Sequence, residues 1–163
     1  MTEKKQKIIS RTGMWLATIA GSIYGVIFVV IGYLLKWDHC GALKGPFWKV
    51  LLIAFHSVMI GAYIGELIVR KRTQRIFAGK LKTRAITSKL FIIVLLGCMA
   101  AFIVSWEVGY IFGKILGTMK EVSWEQILID IPFVSLIHAT PISLVISIFY
   151  SVFVFTYLKV GEK

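Results

Sequence analysis

Three ionisable side chains stand inside long apolar runs of this chain: His56, Glu107 and His138. A titratable group held in hydrocarbon is costly, so such residues are functional candidates by default. Three chemistries suit the trio. Two imidazoles on facing helices would supply the axial ligands of a b-type haem, which makes His56 and His138 the cofactor-binding candidates. A carboxylate with two imidazoles suits zinc or iron. The same groups could relay protons or hold a cation in a transporter. Tyr110, one turn from Glu107, is placed to join them by hydrogen bond. The plainer expectation is that each imidazole bonds a nearby backbone carbonyl and that Glu107 pairs with Lys114 at i+7.

A second set, His56, Met59, Tyr63 and Glu66, follows helical spacing and lies opposite Ser57, Gly61 and Gly65. Tyr63 and Glu66 extend it into a polar stripe, either a path through the inner half of a membrane or, more simply, a face where Glu66 pairs with Arg70. Asp38, His39 and Cys40 are adjacent, so their side chains diverge, and no second ligand pair follows at zinc-site spacing. They read as an ordinary polar loop. There is no nucleophile motif, phosphate-cradling glycine loop or helical His-Glu-x-x-His, so no catalytic residue or metal ligand is assigned.

The elements that must position these groups follow from composition. Of 163 residues, 58% are apolar and 17% charged, with a mean hydropathy of +0.82. A soluble domain runs about 45–50% apolar and about 25% charged, so this chain needs a non-aqueous solvent. It carries 19 Lys and Arg against 8 Asp and Glu. In a soluble protein that balance would suggest nucleic acid, but here placement matters more. Lys4, Lys5, Lys7 and Arg11 precede the first apolar run. The stretch Arg70–Lys89 holds Arg70, Lys71, Arg72, Arg75, Lys80, Lys82, Arg84 and Lys89 without an acid. Lys36, Lys44, Lys49, Lys114 and Lys120 share the remaining connections with Asp38, Glu107, Glu121, Glu125 and Asp130. The asymmetry follows the positive-inside rule and puts both termini and the middle loop in the cytoplasm.

The expected fold is all-α: one polytopic membrane domain over 1–163, with four transmembrane helices at about 14–35, 47–69, 90–117 and 131–158. The charge-free first run, Thr12 to Leu35, exceeds a signal-peptide core of about 7–15 residues and reads as a retained span. A basic cytoplasmic loop covers 70–89, with Thr87 and Ser88 as an N-cap pair. A short outer interfacial helix occupies 123–130, where Ser123 and Gln126 have capping-box spacing. Pro141 frees the carbonyl of Ile137 and should kink the last span near His138. Cys40 and Cys98 are expected at very different depths, which argues against a disulfide.

Small residues recur four apart through the third span: Gly97, Ala101, Ser105, Gly109, Gly113 and Gly117. In lipid such residues let helix backbones approach closely. Each i+4 step drifts about 40° around a helix, so the ladder should serve two neighbours, Gly97 and Ala101 facing one and Gly113 and Gly117 the other. Shorter ladders mark the other spans, giving a compact bundle.

The function expected is non-enzymatic: a small transporter, a channel-like homo-oligomer, or a membrane subunit of a larger complex. It would have a polar site of His56, Glu107, Tyr110 and His138 about 10–15 Å below the outer surface. One alternative is a redox anchor binding haem b or quinone. Another is a regulator that holds a cytoplasmic partner through Arg70, Lys71, Arg72 and Arg75, residues that also suit anionic lipid. Nucleic acid is not an expected partner. The setting expected is a bacterial or archaeal cytoplasmic membrane.

Overall fold

A computed structural model describes residues 3–34, 45–78, 83–118 and 122–159. Among them there is helix and no strand. Helix α1 spans Glu3–Ile23 and continues through a π-helical segment, Tyr24–Ile31, into a short helical turn, Gly32–Leu34. Helix α2 is Phe47–Phe77, α3 is Thr83–Ile115, and α4 is Ile131–Lys159. Three helical stretches are long and apolar enough to cross a membrane: Phe47–Phe77, Ala85–Ile115 and Gln126–Lys159. At about 1.5 Å per residue, each exceeds the ~30 Å of a hydrocarbon core. The first apolar run differs. Its α-helical part begins with Lys4, Lys5, Lys7 and Arg11, and its most β-branched part forms wider π turns. Branching at Cβ crowds the preceding turn of an α-helix.

α3 lies between α2 and α4, which make little contact with each other, and α1 packs on α2 and α3. Two apolar cores result. One joins Ile9, Ile76, Ile86, Leu90, Val154 and Leu158 at the end where both chain termini lie. There the Tyr150 hydroxyl donates to the Ile9 carbonyl at 2.9 Å, and Lys5 sits over the Tyr157 ring. The other core, at the opposite end, gathers Val29, Val50, Phe102, Trp106, Ile127 and Ile131.

Small residues let α2 and α3 approach. A Cβ placed on Gly61 would meet the Ala101 carbonyl oxygen at 2.5 Å and collide with Ser105 Oγ. One placed on Gly65 would lie 2.6 Å from Ala101 Cβ and 2.8 Å from the Gly97 carbonyl oxygen. Gly97, Ala101 and Ser105 therefore face α2, and Ser105 also lies beside α1, since a Cβ on Gly21 would be 3.3 Å from its Oγ. In α4, Ser135, Ala139, Ser143 and Ser147 are all buried.

Several expected boundaries move. The basic stretch is largely helical: α2 runs on through Arg70–Arg75, since Lys, Arg and Gln are good helix formers, and α3 begins before Thr87 and Ser88. Gly117 is not a rung of the ladder, because α3 ends at Ile115. Gly117 has φ +69°; its N–H donates to the Lys114 carbonyl at 3.1 Å, and Thr118 N–H donates to Gly113 at 2.9 Å. That is a Schellman cap, the position glycine suits best. Lys49 Nζ adds a bond to the Leu116 carbonyl at 2.9 Å, placing a cation at the negative end of α3. The segment 123–130 is not a separate helix but runs through a π turn, Gln126–Asp130, directly into α4. Its capping box is present: Ser123 N–H donates to Gln126 Oε1 at 2.9 Å, and Gln126 N–H to Ser123 Oγ at 3.1 Å. α4 remains helical through Pro141. The Asp38, His39 and Cys40 loop lies outside the described residues.

Candidate functional site

α3 presents a different group on each of three flanks. His56, from α2, stacks on Phe112 with ring centroids 4.8 Å apart and planes at 18°. Its Nδ1–H donates to the Leu52 carbonyl at 2.7 Å. His138, from α4, lies 5.3 Å from the Trp106 ring, and its Nδ1–H donates to the Val134 carbonyl at 2.9 Å. A carbonyl can only accept, so both imidazoles carry the proton on Nδ1 and leave Nε2 as an acceptor. Each therefore bonds the carbonyl one turn earlier in its own helix.

The two rings do not face one another. Phe112 and Trp106 are six residues apart, about 120° around α3 and roughly 9 Å along it. α3 stands between the helices that carry the two imidazoles, so the rings expected to clasp one haem meet different flanks of it. Glu107 points away from both, about 100° from Trp106 and about 140° from Phe112. Among the described residues, no group of three His, Cys, Asp or Glu side chains comes together to hold a metal ion. The shared layer expected of His56, Glu107 and His138 is thus spread around a helix instead of being gathered in a cavity. Depth counted along the chain carries no information on azimuth between helices.

Glu107 is half-buried, and its Oε1 is fully buried without a hydrogen-bond partner among the described residues. Lys114 Nζ donates to the Val122 carbonyl. Tyr110, about 60° from Glu107 around the helix, is buried in the core with Ile127 and Ile131. The flank of α3 that carries Glu107 also carries Leu96 and Ile92, each 52% exposed. At the level of Glu107 itself, Ile103 and Ile111, one turn to either side, are partly buried against the core of Val50, Phe102 and Trp106.

The stripe on α2 turns outward. Met59 and Tyr63 are exposed, while Ser57, Gly61 and Gly65 on the opposite face are buried. Glu66 borders an open cleft with Arg11, Trp15 and Thr18 of α1. Arg70, Lys71, Arg72 and Arg75 are all exposed. Cys98 is a buried free thiol. Sequence reasoning missed the bond from Tyr150 to Ile9, which joins residues far apart in the chain. Gly13 makes room for it, since a Cβ there would lie 3.2 Å from the Tyr150 hydroxyl. Comparison with models of known protein families, with curated proteins and with solved structures finds no match to this chain.

Proposed function

We propose that this chain is a non-enzymatic, multi-pass membrane component, a small transporter or channel-like oligomer whose working group is Glu107. The observation that carries the reading is the buried Oε1 of Glu107, without a hydrogen-bond partner among the described residues, in a helix long and apolar enough to cross a membrane. An acid in such a place is expensive to keep unless it binds or passes a cation or proton. A second copy of the chain, or another membrane subunit, laid against α3 would give the carboxylate a polar partner and make it part of a shared path. In this reading the first apolar run, about 14–35, is a fourth span. Both termini and the basic segment face the cytoplasm of a bacterium or archaeon. The clustering of the termini and the Arg72–Lys89 region at one end of the bundle supports that orientation.

The test is flux through the full chain in vesicles of phosphatidylethanolamine and phosphatidylglycerol. An entrapped pH dye reports proton entry under an imposed potential, and radioactive sodium and rubidium report cations. Wild type should conduct at least one of these. Glu107→Gln should lower that flux at least tenfold, with Glu107→Asp in between. Equal flux in wild type and Glu107→Gln, or none above empty vesicles in either, would contradict the assignment.

A further inference from the structure

A groove opens between α2 and α3 near the end where both termini lie. It encloses about 790 Å³, within the ~300–1,000 Å³ usual for small-molecule sites. Its walls are of two kinds. Ile68 of α2 and Leu96 and Ala100 of α3 line an apolar trough, while Arg72, Arg75 and Lys89 bring three cations to the same groove. Among the described residues, no carboxylate lines it. From Lys89 to Ala100, α3 rises roughly 16 Å, about half the ~30 Å hydrocarbon core. The trough is therefore one leaflet deep, with Lys89 at one end and Ala100 at the other. Leu96 is 52% exposed, so the groove is open from the side, the direction from which a lipid arrives.

We infer that this groove holds one anionic phospholipid, its phosphate against Arg72, Arg75 and Lys89 and an acyl chain along Ile68, Leu96 and Ala100. Guanidinium groups pair with phosphate oxygens through two parallel hydrogen bonds, a match that lysine supplements as a point charge. A soluble anion would leave the apolar trough unused, and an apolar ligand would leave three cations unpaired. The inference rests on residence in a membrane and not on the role of Glu107, so loss of flux in Glu107→Gln bears on the one and not the other.

The experiment uses the full chain in detergent, stripped of co-purifying lipid and re-supplied with dioleoyl phosphatidylglycerol or dioleoyl phosphatidylcholine. Adducts are counted by native mass spectrometry, and folding is verified by thermal unfolding in the same detergent. Phosphatidylglycerol should add as a single molecule at about tenfold lower concentration than phosphatidylcholine. The triple change Arg72→Gln, Arg75→Gln and Lys89→Gln should abolish that preference. The change Lys4→Gln, Lys7→Gln and Lys71→Gln removes equal charge nearby and should leave the preference intact. Ala100→Trp fills the trough without altering charge and should displace the lipid; if that variant misfolds, Leu96→Trp at an exposed site carries the same test. The inference is overturned if the two triple variants behave alike or if phosphatidylcholine binds as well as phosphatidylglycerol. It is also overturned if glycerol 3-phosphate competes fully, or if a polyglutamate peptide displaces the lipid, which would assign the surface to a soluble anion or to an acidic protein.

Discussion

On one flank of α3, Gly97, Ala101 and Ser105 admit α2 so closely that a Cβ at Gly61 or Gly65 would strike atoms of α3. On another flank of the same helix, Leu96 and Ile92 are half exposed and Glu107 has a buried oxygen without a partner. Both flanks are apolar in composition and both obey helical spacing. They differ in side-chain volume: small residues mark the surface the chain closes on itself, and large ones, Ile92 and Leu96, mark the surface it leaves open. In lipid that difference has a physical reason. Apolar bulk gains nothing by leaving lipid for a protein neighbour, whereas small residues gain close packing by meeting one another.

The contrast is broken most severely on the closed flank. Gly61→Leu drives a side chain into Ser105 and the Ala101 carbonyl, and overpacking of this kind costs about 1–3 kcal/mol or more. A large fall in the thermal unfolding midpoint in detergent is expected, or no folded protein at all. Tyr150→Phe removes the bond to the Ile9 carbonyl and should cost about 1 kcal/mol, read by the same melting assay. Gly117→Ala places a Cβ at φ +69° in the cap of α3 and should cost a similar ~1 kcal/mol. Leu96→Ala on the open flank should change stability by less than about 0.5 kcal/mol, because its side chain is half exposed in an open groove. A Leu96→Ala loss as large as that of Gly61→Leu would erase the distinction between the two flanks.

Much of this architecture was legible in the residues. Apolar length marks three helices that can cross a membrane, and the spacing of Gly97, Ala101 and Ser105 marks the face that α2 approaches. The capping box of Ser123 and Gln126 was readable because its two bonds are local. What was not legible depends on how helices rotate about their own axes. His56 and His138 have similar depths from the chain, yet they meet α3 about 120° apart, against Phe112 and Trp106. Gly117 fits the ladder by number but serves the end of the helix, and nothing in i+4 spacing separates a packing glycine from a capping one. The groove beside Arg72 and Lys89 needs two helices side by side, so a stretch that reads as a basic loop conceals it.

Cysteine cross-linking in native membranes tests the two-flank account most directly. The background is a chain carrying Cys40→Ser and Cys98→Ala, with Leu96→Cys on the open side of α3 and, separately, Ala101→Cys on the closed side. Oxidation should join two copies through position 96 and leave position 101 monomeric. A dimer through position 101, or no cross-link through position 96, would contradict it.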